Sequence, residues 1–384
     1  MPDARLYELA VKYRPQFPIF QTAAYLSSCS LGALSRASRD AMAEFADLWS
    51  RLGAAAWYDH WIGAADEVRA AFARLVGADL TEVALAPSIS GALSVLSSSI
   101  DFSARPKVVT TELDFPTVVY QFLAKRELGV ETVVLESPDG ISVPVDAFAQ
   151  AIDERTALVA TSHVYYTTGA IQDVAGIARL AHERGALCLI DAYQSTGQLP
   201  VDARQLGVDF LLSGALKWLL GGPGLAYVYV RRSLIEALNP SVVSWFGAED
   251  QFAFNSTALE LRADARRFEL GTPAVPTIYC ARAGLEMVSE IGLEAIRTRV
   301  SSLTEDLVGR ARSAGLSVRV TGGPETRAGI VMVEHRSPDV AVGRLMESNV
   351  IADYRNGAVR LSPHFYNTTE DSQRAVEVLA ESGS

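Results

Sequence analysis

The sequence predicts an α/β fold: a large, mainly parallel sheet with helices on both faces, followed by a smaller α+β region. Three observations carry this. The chain has 384 residues, 49% of them hydrophobic, which is more than one typical core accommodates. From about residue 61 to 230, seven short β-branched and apolar runs alternate with helix-period stretches. After Val230 that alternation stops.

The seven runs are Glu82–Ala86, Lys107–Glu112, Glu131–Glu136, Ala157–His163, Ala186–Asp191, Phe210–Leu212 and Leu225–Val230. Amphipathic segments such as Val145–Ile152 and Asp173–Arg184 lie between them. Strand–helix alternation of this kind builds parallel sheets, so seven runs make one large sheet. Beyond Val230, a Pro/Gly-containing stretch, Phe268–Pro276, leads into helical patterns at Thr277–Ile291 and Leu293–Ala314. Short strands are expected at Ser317–Val320, Gly329–Glu334 and Ala358–Leu361, and a last helix near Glu370–Leu379. The expected division is an N-terminal segment (residues 1–20) packing on the small domain, a large domain (21–265) and a small domain (266–384).

Composition narrows the function classes. Net charge is −11, and the isoelectric point near 5.1 argues against nonspecific binding to nucleic acid or an anionic membrane. No run approaches the roughly 18 apolar residues of a membrane span, and MPDARLYELAVKYRPQF lacks the apolar core of a secretory signal. A cytoplasmic location is the resulting expectation. The three cysteines, Cys29, Cys188 and Cys280, are far apart and form no CxxC, so neither a disulfide framework nor a zinc site is expected. The five histidines lack metal-ligand spacing. Only four of the 34 basic residues are lysines: Lys12, Lys107, Lys125 and Lys217. Three occupy polar surroundings; Lys217 does not.

In doubly wound sheets, ligands sit past the carboxyl ends of the strands, and the candidate residues cluster there. Lys217 lies in LLSGALKWLLGGPG (211–224), just past a strand run. Apolar, glycine-rich surroundings desolvate it and favour the neutral amine that imine formation requires. Taken singly it reads more readily as a lysine snorkelling at a strand end. Asp191 ends ALCLID, and a carboxylate after five apolar residues needs a cationic partner. A protonated pyridine nitrogen is one such partner; a helix cap, a metal or a ribose hydroxyl are others. Gln194, three residues on, is placed to donate to a ring oxygen or to serve as a polar turn residue. Ser88, Ile89, Ser90 and Gly91 follow VALAP and open a helical stretch, which suits an anion at a helix start or a simple serine cap. Phe115, in TELDFPTVVY, is placed to stack on a planar group or to fill the core. Arg360, in GAVRLSPHFYN, offers a fork for a carboxylate, with Arg355 as the alternative. His163, beside Tyr165 and Tyr166, reads as structural.

Together these residues resemble the class V aminotransferase superfamily of fold-type I pyridoxal 5'-phosphate (PLP) enzymes. The order is Ser88–Gly91, Phe115, Asp191-x-x-Gln194, Lys217, then Arg360, and the resemblance runs from YLSSCSLG (25–32) to RLSPHFYNTTED (360–371). Its most specific segments are SHVYYTTGAIQD (162–173), LIDAYQSTGQLPVD (189–202), LKWLLGGPG (216–224), SWFG (244–247) and RFELGTP (267–273). The resemblance implies that Lys217 carries the cofactor covalently and that Asp191 pairs with its pyridinium. It also implies that Gln194 meets the ring oxygen, Phe115 stacks on the ring, and Ser88 and Ile89 bind the phosphate. Ser213 joins this set, one position further from the lysine than its counterpart in desulfurases. The family forms homodimers with shared active sites, so Trp245 and Thr272 are expected to reach the partner's cofactor. Arg360, with Tyr166 and Arg355, is expected to hold an amino-acid substrate by its α-carboxylate.

Two subgroups compete. HVYYTTG, GGPG, WFG and DYRNG resemble kynureninases, which hydrolyse a Cβ–Cγ bond, whereas DAYQ and RFELGTP resemble the cysteine desulfurase and selenocysteine lyase group. Desulfurases carry a cysteine ahead of the carboxylate-binding arginine, and Ile351–Val359 has none. Leu216 stands where desulfurases have histidine and kynureninases tyrosine. Val118 and Cys29 stand where kynureninases have aspartate and asparagine. These departures speak against persulfide chemistry and leave the substrate open; side-chain cleavage (C–S β-lyase or Cβ–Cγ hydrolase) is the first expectation. An aminotransferase and an isopenicillin N epimerase-like epimerase follow. A PLP-binding module without turnover is disfavoured, because retaining Lys217, Asp191 and Arg360 together costs burial energy that a scaffold need not bear.

Overall fold

The computed structural model describes residues 4–382. All seven expected runs form one sheet. Its spatial order is Val83–Ala86, Ala226–Val230, Phe210–Gly214, Leu187–Asp191, Thr156–Ser162, Lys107–Thr111, Glu131–Leu135. Neighbours from Phe210–Gly214 to Glu131–Leu135 pair in parallel; Ala226–Val230 runs antiparallel to both of its neighbours. The central strands are buried along their whole length, which explains their near-continuous apolar composition. Apolar side chains on one face, such as Val109, Ile190 and Tyr227, join the core that also holds Phe45, Phe72, Tyr279 and Leu285. Those on the other face, such as Leu158, Leu189 and Leu212, share a core with Leu93, Phe122 and Phe268. This is the expected fold, with helices on both faces.

A second, four-stranded antiparallel sheet is ordered Asp353–Arg355, Ala358–Leu361, Val331–Glu334, Val318–Arg319. The helices Leu293–Ser313, Pro338–Glu347 and Thr369–Ser382 accompany it, and Leu307, Leu345 and Leu379 share its core. Two elements cross between the layers. Ala24–Tyr25 pairs in parallel with Val350–Ile351. The helix Val275–Ile291 packs on the large sheet's side, with Tyr279 against Phe45 at 6.0 Å between ring centroids.

Residues 12–20 lie against the C-terminal region. Arg14 donates to both carboxylate oxygens of Asp371, at 2.6 and 2.9 Å, and its guanidinium covers the Phe20 ring. Of the N-terminal segment expected to pack there, residues 1–3 lie outside the described part. Among the described residues, no helix is long and apolar enough to cross a membrane.

Candidate active site

Parallel strands deliver their carboxyl ends to one edge, and there lies a cavity of about 410 Å³. Asp191 is the last residue of one strand, and Lys217 follows the end of the next. Both line the cavity, together with Ser88, Ile89, Phe115, Tyr166, Gln194, Arg355 and Arg360.

Asp191 is 6% exposed. Its Oδ1 accepts from the Tyr193 N–H at 2.9 Å, and no cation reaches ion-pair distance among the described residues. Burial pushes its carboxyl up to about 6, against the opposing pull of that N–H and of Lys217. Lys217 Nζ has no hydrogen-bond partner among the described residues. It lies 4.0 Å from the centre of the Tyr193 ring and 5.9 Å from that of Phe115. Burial pushes its ammonium down to about 8, although Asp191 works in the other direction. A buried carboxylate short of a cation and a desolvated amine, flanked by aromatic rings, fit a flat cationic heterocycle attached to the amine.

The part of the cavity lined by Ser88 and Ile89 fits an anion. Ser88 caps the helix Ile89–Ser98, its Oγ accepting from Gly91 N at 3.1 Å. The first-turn N–H groups of a helix have no partner within it and form an anion site. Phe115 is held over the cavity by its neighbour. Asp114, almost fully buried, accepts from the backbone N–H groups of Thr111 (2.9 Å) and Ser162 (2.6 Å) and from the hydroxyls of Thr110, Thr111 and Thr161. This ties the ends of two strands together directly before the phenylalanine.

Arg360 is 3% exposed and heavily engaged. Its Nε and Nη2 donate to the two carboxylate oxygens of Asp353, at 2.8 and 2.6 Å. Nη1 donates to the Tyr166 carbonyl at 2.8 Å, and Nη2 also donates to Ser30 Oγ at 2.6 Å. One Nη1–H remains for a substrate. Arg355 stands at the same cavity with its side chain 47% exposed, 3.7 Å from Asp353. The charge of Arg360 is thus matched by Asp353, and Arg355 supplies the net positive charge at this end.

Three expected residues lie elsewhere. Ser213 is fully buried within its strand, and its hydroxyl is spent on that of Thr196, so it does not line the cavity. Trp245 and Thr272 line a separate, smaller hollow with Trp57, Tyr58, Phe252 and Phe254 on the surface of this chain. A larger open hollow of about 620 Å³ in the loop 243–260 holds only exposed ionisable groups, Asp250 and Glu260. His163, pushed down to about 4 by burial, does not line the cavity, in keeping with a structural role.

Sequence reasoning passed over Tyr193, Asp353 and Ser30. Tyr193 sits between two residues already singled out. Its phenol occupies the space over Gly214, where a Cβ would collide with the ring. The signal for Asp353 was the Asn-Gly pair of DYRNG, a hairpin turn that sets it opposite Arg360.

The lowered Lys217 value has a measurable consequence in the cofactor-free protein. Below about 8 both folded and unfolded chains hold the proton, so the full cost of burying the charge is present. As pH rises from about 8 towards 10.5, only the folded chain releases it, and the cost fades. Lys217→Met is therefore expected to stabilise the cofactor-free protein by about 3 kcal/mol below pH 8, with the gain shrinking above it. Urea unfolding on either side of that pH checks this; a gain that does not change with pH contradicts it.

The pattern of the family described as "Aminotransferase class-V" matches residues 53–352. An uncharacterized aminotransferase of Bacillus subtilis is 36% identical over 372 residues, covering 97% of this chain and 98% of its own. The kynureninase of Pseudomonas fluorescens is 30% identical over 387 residues, covering 96% and 91%. Among solved structures, the apo cysteine desulfurase of Thermococcus onnurineus superposes with a TM-score of 0.87 at 21% identity over 97% of both chains. A complex of the cystine C–S lyase C-DES with cysteine persulfide gives 0.88 at 20% identity, covering 96% and 100%. At such identities these structures show a shared fold, that of fold-type I PLP enzymes. The sequence matches show more: the chain belongs to the class V aminotransferases, a family of PLP-dependent enzymes.

Proposed function

We propose that the protein binds PLP in the cavity around Lys217 and acts on an L-amino acid, cleaving a bond of its side chain. The observation that carries this is the pairing of Asp191 and Lys217. Asp191 is buried and Lys217 half-buried, they stand at and just past the ends of adjacent parallel strands, and their proton affinities are drawn towards neutrality by the shared cavity.

In this reading Lys217 holds the cofactor, and Asp191 holds a proton at the ring nitrogen. Phe115 and Tyr193 cover the ring, Gln194 donates to its oxygen, and Ser88 and Ile89 hold its phosphate at the helix start. Once bound, the cofactor supplies an electron sink for the pair released at the substrate's Cα. The Lys217 amine, when free, would be the base that takes the Cα proton. Arg360 and Arg355 hold the α-carboxylate and set the Cα–H bond against that base, with Tyr166 closing the same end. The exposed aromatic cluster of Tyr58, Trp245, Phe252 and Phe254 supports a homodimer in which Trp245 and Thr272 approach the partner's site.

Side-chain cleavage is favoured by the kynureninase relatives and the C–S lyase fold neighbour. A transamination reading is favoured by the uncharacterized aminotransferase relative. Product analysis by NMR separates them: the purified holoenzyme is incubated with L-cystine, cysteine conjugates or L-kynurenine and no keto acid. Multiple turnovers to pyruvate or alanine are expected. A single stoichiometric conversion that restarts on adding a keto acid would establish transamination instead.

Arg360→Ala is expected to raise KM at least about 30-fold, the loss of roughly 2 kcal/mol of charged hydrogen bonding, with PLP occupancy unchanged. It also strands Asp353, so stability falls. The double variant Arg360→Ala/Asp353→Ala is expected to recover stability but not KM. Loss of PLP from either variant would instead place Arg360 among the phosphate ligands.

A further inference from the structure

Trp218 follows Lys217 directly and is fully buried, outside the cavity lining. Its indole Nε1–H donates to Gln194 Oε1 at 2.7 Å. An indole nitrogen is only a donor, so the atom facing it must be the amide oxygen. On its other side, Gln194 Nε2 donates to the Cys29 carbonyl at 2.9 Å, and a carbonyl is only an acceptor. Two partners of opposite kind therefore fix the amide. Turned over, it would set N–H against N–H and oxygen against oxygen, in a buried place where neither finds water. The second Nε2–H has no protein partner among the described residues, and Gln194 lines the cavity.

The indole itself is held from behind. A Cβ on Gly329 would come within 2.9 Å of Trp218 Cη2 and 2.8 Å of Gln198 Oε1, so only glycine lets the chain pass this close. Gln198 Oε1 accepts from Gly329 N at 2.7 Å, while its Nε2 donates to the Gln194 carbonyl. The Trp218 carbonyl lies 3.1 Å from His364 Nε2. Trp218 thus has no freedom to swing away from Gln194.

We infer that Trp218 is a positioning residue whose indole N–H locks the Gln194 amide, so that the cavity meets only a donor there and a bound group must present an acceptor oxygen. Resting on the PLP reading of the site, that acceptor is the cofactor's ring oxygen. An N–H donor favours negative charge on that oxygen, so the lysine-bound chromophore releases its proton at lower pH than it would without the donor.

The test is a pH titration of the visible absorbance of the holoenzyme, wild type against Trp218→Phe and Gln194→Leu. Both variants are expected to move the transition upward by about one unit, the size of one lost hydrogen bond to a charged group. A Trp218→Phe transition at the wild-type pH overturns the inference. A second measurement needs no cofactor and does not depend on the folding of Trp218→Phe. The chain has five tryptophans, and in a nitrogen–proton correlation spectrum of the cofactor-free protein, Gln194→Leu is expected to move one indole signal to the position of an unbonded N–H. If all five stay in place, the lock does not exist. Failure to take up any PLP would sink the cofactor assignment alone and leave this spectrum to decide the lock.

Discussion

Lys217→Ala is expected to lower turnover at least about a thousandfold while leaving PLP bound noncovalently. In the proposed reading two functions leave with the one amine: the attachment point of the cofactor and the base at the substrate's Cα. Nothing nearby replaces it. The other three lysines stand outside the cavity, with Lys12 paired to Glu290 and Lys107 to Asp153. The other residues proposed to hold the cofactor (the helix start at Ser88, the rings of Phe115 and Tyr193, the carboxylate of Asp191) are untouched, so equilibrium dialysis is expected to find PLP still retained. Added primary amines are expected to restore a small part of the activity by taking the base's place. Turnover at the normal rate would remove Lys217 from the mechanism.

Asp191→Asn is expected to lower turnover by about 10²–10³-fold, the ordinary effect of removing one preorganised electrostatic partner of developing charge. The amide keeps the shape and the Tyr193 contact but cannot hold a proton on a pyridine nitrogen through its negative charge. The same change is expected to have the opposite sign in the cofactor-free protein. The folded carboxyl keeps its proton up to about 6, whereas the unfolded one releases it near 3.8. Its contribution to stability therefore falls as pH rises between those values and remains as a fixed cost above about 6. At neutral pH, cofactor-free Asp191→Asn is expected to be more stable than wild type, and holoenzyme activity and apoprotein stability measured on one preparation check both signs. Equal activity in variant and wild type contradicts the pairing of Asp191 with the ring.

Such opposed effects mark groups kept for function rather than folding. They were also the residues most legible in the sequence. Asp191 and Lys217 stand out because an ionisable residue after an apolar strand run breaks the local pattern, and parallel topology sends both strand ends to the same edge. The seven strands were legible for a related reason: fully buried strands read as short continuous apolar runs. The Asp353–Arg360 pair was hidden, because it depends on register. Asn356 and Gly357 adopt left-handed conformations, φ 46° and 77°, forming a two-residue turn that sets Asp353 opposite Arg360. Only when that register is known does the expected carboxylate anchor turn out to be already partnered. The surroundings of Ser213 were hidden for a similar reason: its position near the lysine was visible, but the Thr196 hydroxyl it meets lies 17 residues away. Trp245 and Thr272 lie outside the cavity of their own chain, where only a partner subunit would bring them to a cofactor.

With only four lysines in the chain, the attachment site can be read directly. The holoenzyme is reduced with borohydride, digested, and analysed by peptide mass spectrometry. The expected result is a single pyridoxyl adduct on the peptide that contains Lys217, absent from Lys217→Ala. An adduct on Lys12, Lys107 or Lys125 instead, or no adduct on any peptide of a protein loaded with PLP, would contradict the assignment of this cavity.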